Sequence, residues 1–106
     1  MKITIPTTAG TALKKAIFDA VEDETLRTWE VRTDNNNVEF LTHKPEQWYD
    51  RTLLRFTVKK DVLLIDTTFW KSKGADKVSD GYFIGRFTEV LLVHFSDDFD
   101  TFTVGK

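Results

Sequence analysis

The stretch TLLRFTVKKDVLLIDTTFW, Thr52 to Trp70, contains two alternating segments joined at Lys60-Asp61. Paired as a hairpin with Val58 opposite Leu63, it sets Phe56 against Ile65, Leu54 against Thr67 and Thr52 against Phe69 on one apolar face. The other face then pairs Lys59 with Val62, Thr57 with Leu64, Arg55 with Asp66 and Leu53 with Thr68. Strand side chains alternate with period two, so a slip of one residue would turn the whole apolar set outward. An arginine directly opposite an aspartate favours the same register.

Upstream, Trp29, Val31 and Thr33 alternate with Glu30 and Arg32. Asp34-Asn35-Asn36-Asn37 interrupts, and Val38, Phe40 and Thr42 then alternate with Glu39 and Leu41. Asp and Asn make local turns and tolerate left-handed backbone, so this too reads as a hairpin. With Thr33 opposite Val38, one face pairs Val31 with Phe40 and Trp29 with Thr42. The opposite face pairs Arg32 with Glu39, and His43 falls on that outer face near the strand end, opposite Thr28.

The flanks carry helices. Leu13, Ala16, Ile17, Ala20 and Val21 follow a 3.6-residue period after a capping candidate at Thr7/Thr8. The acidic run Glu22-Asp23-Glu24 marks the end of that helix, where the helix dipole disfavours negative charge. A wider stripe, Phe83, Ile84, Phe87, Val90, Leu91, His94 and Phe95, predicts a second and more deeply packed helix capped by Ser79 or Asp80. Ile3 and Ile5 before Pro6, and Phe99 to Val104, read as short terminal strands. The expectation is a single α+β domain over residues 1–106. It is two-layered, with a four-stranded antiparallel meander of two hairpins, short terminal strands and both helices on one face, in the order β-α-β-β-β-β-α-β.

Composition excludes several chemistries. The sequence has no cysteine, which removes disulfides, thiolate metal sites and cysteine nucleophiles. With 41% hydrophobic and 30% charged residues the chain is of the globular class. Fifteen basic residues against seventeen acidic ones give a formal charge of −2 and no basic stripe, so a nucleic-acid partner is disfavoured. The longest apolar run, Val90 to Val93, is far short of the ~20 residues a membrane span needs, and Met1 to Pro6 lacks a signal-peptide core. A soluble cytoplasmic protein with no membrane partner is the expectation.

No catalytic motif is present: no G-x-S-x-G, no phosphate-binding glycine loop and no H-E-x-x-H. His94 reads as a boundary residue of its helix. His43 and His94 are expected on opposite sides of the sheet, which argues against a shared metal site, and no cofactor or metal is expected. Asp66 is unusual in mid-strand, but the register supplies Arg55 as its partner.

The outer sheet face is the stronger lead. On this register it carries Glu30, Arg32, Glu39, Leu41, His43, Leu53, Arg55, Leu64, Asp66 and Trp70. Mixed charges beside leucines and a tryptophan are typical of protein-binding surfaces. The candidate binding residues are Trp70, Arg55, Asp66, Arg32, Glu39 and His43, with Trp48 and Tyr49 as anchors on the connection between the hairpins. The functional expectation is a non-enzymatic module of adaptor or inhibitor type that holds another protein or a second copy of itself. A small-molecule site between the second helix and the sheet, lined by Phe83, Phe87 and Trp29, is the alternative; weak single-stranded nucleic-acid binding is a third.

Overall fold

A computed structural model describes residues 1–106 of the chain. Its elements are β1 (Lys2–Pro6), α1 (Gly10–Glu22), β2 (Trp29–Thr33), β3 (Glu39–His43), β4 (Leu53–Lys59), β5 (Val62–Thr68), α2 (Lys77–His94) and β6 (Thr103–Gly105), with a short 3-10 turn at Ser96–Asp98. The sheet has six strands in the order β2-β3-β4-β5-β1-β6, and every neighbouring pair is antiparallel. The meander thus occupies β2 to β5. β1 returns beside β5, placing Ile3 opposite Ile65 and Ile5 opposite Leu63, and β6 closes the far side.

The β4–β5 hairpin has the register its alternation requires, from Lys59 opposite Val62 to Leu53 opposite Thr68. Its inner face supports both helices. Phe56 meets Phe18 of α1 edge-on at 5.1 Å and Phe87 of α2 at 5.7 Å. Trp29 crosses Phe83 and Phe87 in the same perpendicular manner, at 5.7 and 5.3 Å. Phe83 and Phe87 have 0% exposure, so the space between α2 and the sheet is filled by interlocked rings. The space among Phe83, Phe87 and Trp29 is thus occupied by their own rings, while Trp29, Tyr82 and Arg86 help line an open groove of about 390 Å³ beside α2.

The β2–β3 hairpin differs from expectation by one residue. Thr33 faces Glu39, Arg32 faces Phe40, Val31 faces Leu41 and Trp29 faces His43. The turn decides it. Asp34 N–H donates to the Val38 carbonyl, and the Asp34 carboxylate accepts from the N–H groups of Asn36 and Val38. Asn37 adopts φ +62°. This is a three-residue loop ending in a left-handed residue, one residue shorter than the loop that pairs Thr33 with Val38. Leu41 and His43 therefore turn inward, while Phe40 and Thr42 turn outward.

Smaller differences share a pattern, in that side-chain bonding and packing move the boundaries. β5 stops at Thr68, leaving Phe69 exposed instead of opposite Thr52. α2 starts at Lys77, because Asp76 rather than Ser79 or Asp80 caps it by accepting the Ser79 N–H at 3.1 Å. α1 begins after Ala9 with no side-chain cap; the Thr7 hydroxyl accepts the Ala9 N–H instead. Its core face includes Phe18 and omits Ala16. On α2, His94 is exposed rather than part of the buried stripe. Phe99 and Phe102 lie before β6 and pack together edge-on at 5.4 Å.

Candidate binding surface on the outer sheet face

Both helices cover one face, and side-chain alternation sends every second residue of each strand to the other. Along one row there Arg32 lies beside Phe40, Phe40 beside Arg55, Arg55 beside Asp66, and Asp66 beside Lys2, spanning β2 to β1. Arg55 grips Asp66 with two bonds, its Nε at 3.1 Å from one carboxylate oxygen and its Nη2 on the other. That bond holds the Arg55 guanidinium above its already high ordinary pKa, so its charge is fixed.

At the β2 end of the row the chain builds a tighter cluster. Arg32 donates from Nε and Nη2 to the two oxygens of Asp50, at 3.0 and 2.9 Å. Its guanidinium carbon lies 5.4 Å from the Tyr49 ring and 5.8 Å from the Trp70 ring, within cation–π range of both. Trp70 also meets Phe40 edge-on at 6.0 Å. The Tyr49 hydroxyl donates to Glu30 at 2.6 Å, and this bond raises the tyrosine pKa, with burial adding to the effect. The Arg32 pKa is raised chiefly by its bond to Asp50.

The connection from β3 to β4 positions this cluster. Asp50 is only 6% exposed and takes φ +58°, a left-handed conformation that Asp tolerates better than most residues. Its N–H donates to the hydroxyl of Thr42, itself fully buried on the outer face, so both ends of Asp50 are held. On the other side, Trp70 starts a turn in which its carbonyl accepts from Lys73 and Gly74 N–H, with Gly74 at φ +75°. The Trp70 Nε1 is enclosed without a partner. An open groove of about 460 Å³ runs beside the cluster, lined by Arg32, Thr33, Asp34, Asp50, Trp70 and Lys73 among others.

Of the residues singled out in the sequence, Trp70, Arg32 and Tyr49 converge, and Arg55 and Asp66 continue the same row. Glu39, His43 and Trp48 do not join them. Glu39 faces Thr33 on the helix side, and Arg32 pairs with Asp50 instead of Glu39. Trp48 stacks flat on Tyr82 of α2 at 4.0 Å. His43 is 5% exposed and sits on the helix side among Trp29, Phe83 and Tyr82, on the same side of the sheet as His94. Burial, then the nearby Arg86 charge, lower its pKa, while contact with the Thr28 backbone works in the opposite direction. The one-residue register change accounts for both His43 and Glu39.

Asp50, Phe40 and Thr42 were missed. Asp50 carried no signal of its own in the sequence. Phe40 and Thr42 followed from the shorter loop, for which Asn37, a residue that favours left-handed backbone, was the available clue. Nowhere do three or more His, Asp or Glu side chains converge to hold a metal ion. No helix is long and apolar enough to cross a membrane.

Comparison of the chain with protein-family models, characterised proteins and solved structures gave no match. What fold and site define is an α+β domain whose sheet is covered by helices on one face and carries an ordered arginine–aromatic row on the other.

Proposed function

We propose that the chain is a non-enzymatic protein-binding module, of adaptor or inhibitor type, that holds a partner protein on its outer sheet face. The observation that carries this reading is Arg32, clamped by Asp50 and flanked by the Tyr49 and Trp70 rings while its side chain remains 37% exposed. Trp, Tyr and Arg are the residues most enriched among those that dominate interface energies. Here their rotamers are already fixed, which lowers the entropy lost on binding. Arg32 and Arg55 each meet a partner already paired with an acid, so neither brings an isolated charge into an interface. The groove beside the cluster is open, a shape that suits a protein surface better than an enclosed small molecule.

The test is capture from lysate with three forms of the chain, the bound species being identified by mass. These are the wild type, Trp70→Ala with Arg55→Ala, and a helix-side control, Arg86→Ala with Val93→Ala. The reading expects a protein held by the wild type and the control and lost by the outer-face variant, whose folding is checked by circular dichroism. Equal capture by all three would refute it.

A further inference from the structure

The sheet has two free edges, and they differ. β6 is three residues long and wholly exposed, a common way of making an edge harmless. β2 is five residues long, with sequence WEVRT. It has no proline, no lysine and no bulge, and its two charges, Glu30 and Arg32, are of opposite sign and so do not repel a second copy set antiparallel. Lys44 N–H donates to the Thr28 carbonyl and Asp34 N–H to the Val38 carbonyl. These two bonds fix the phase of the ladder: residues 28, 30, 32 and 34 turn their backbone groups toward β3. The N–H and carbonyl groups of Val31 and Thr33, and the Trp29 carbonyl, therefore face outward. The Trp29 N–H is already bonded to the Leu26 carbonyl.

We infer that β2 is a self-pairing edge, joining two copies of the chain in an antiparallel dimer with its two-fold axis at Val31. At that axis Val31 of each copy exchanges two backbone bonds with Val31 of the other, and each Thr33 N–H reaches the Trp29 carbonyl across the interface. The side chains decide between this register and its neighbours. Glu30 of one copy stands opposite Arg32 of the other, twice over, on the outer face. Opposite charges in directly facing positions stabilise such a pair, whereas a symmetric register centred on Glu30 or Arg32 would set like charges against each other. The groups needed are uncommitted. Arg32 spends Nε and Nη2 on Asp50 and keeps Nη1; Glu30 spends Oε2 on Tyr49 and keeps Oε1. The dimer extends two six-stranded sheets into one and leaves the outer rows of both copies on the same side.

The interface is short, so a weak dimer is expected, visible by sedimentation velocity at protein concentrations approaching about 1 mM. Val31→Pro removes the central donor at an edge position where proline is tolerated, and should weaken the dimer by about tenfold or more. Hydrogen exchange on the unmodified chain gives a readout independent of that variant's folding. Val31 and Thr33 amides should exchange fast in dilute solution and slowly in concentrated solution, while the outward-facing Val104 amide of β6 stays fast. Arg55→Ala, on β4 and two strands from β2, should leave the dimer unchanged, which separates this inference from the outer-face reading. A monomer at every concentration, a dimer indifferent to Val31→Pro, or concentration-dependent protection at β6 in place of β2 would each overturn it.

Discussion

At the scale of single residues, environment separates side chains that the sequence treats alike. Arg32 and Arg55 both lie on the outer face and both bind an aspartate, but Arg32 alone is flanked by two aromatic rings. His43 and His94 diverge further. His94 is exposed at the end of α2, whereas His43 is enclosed with its Nδ1 unpartnered and its pKa lowered by burial and then by Arg86. A histidine whose pKa is lower folded than unfolded binds its proton first in the unfolded chain. Stability from this source is therefore complete above the unfolded value of about 6.5 and falls as pH drops below it. Urea midpoints measured at pH 7.5 and pH 5 should fall on acidification in the wild type, and fall less in His43→Gln. An equal drop in both proteins would show that His43 is not the group responsible.

At the scale of elements, turn chemistry outranks the hydrophobic pattern where the pattern is ambiguous. In β4 and β5 the apolar alternation and the Arg55–Asp66 match agree, and the register was fully legible. In β3, Phe40 and Leu41 are adjacent and both apolar, so alternation alone admits either face. The Asp34–Val38 bond and the left-handed Asn37 select one. Replacing Asn37 with valine should cost about 1–2 kcal/mol in chemical denaturation, since a β-branched residue resists φ +62°. Asn37→Gly should be close to neutral or mildly stabilising; equal costs for the two would mean that the left-handed turn does not set the register. The outer-face candidates were legible to the same degree as their strands. Arg55 and Asp66 followed from the secure hairpin. Glu39 and His43 moved with the insecure one, and Asp50 depended on a connection whose path no periodicity encodes.

At the scale of the molecule, the helices pack on one side of the sheet, while on the other charged and aromatic side chains fixed by specific bonds stand beside the buried Leu53. The core cluster joins β1, β3, β4 and β5 to both helices through Ile3, Leu41, Phe56, Ile65, Ile17 and Phe87. Phe87→Ala or Phe56→Ala should each cost about 3–5 kcal/mol, measured by urea unfolding, because each leaves a cavity among interlocked rings. A loss below about 1 kcal/mol at either site would contradict this assignment of the core. The division of labour between faces makes the binding claim directly measurable. Once a partner has been captured, hydrogen exchange of the chain alone and in the complex gives its footprint without any substitution. Protection confined to Arg32–Asp34, Tyr49–Arg51 and Asp66–Lys73, with α2 unchanged, is the result expected of an outer-face binding module. Protection along α2 with the outer row unchanged would contradict it.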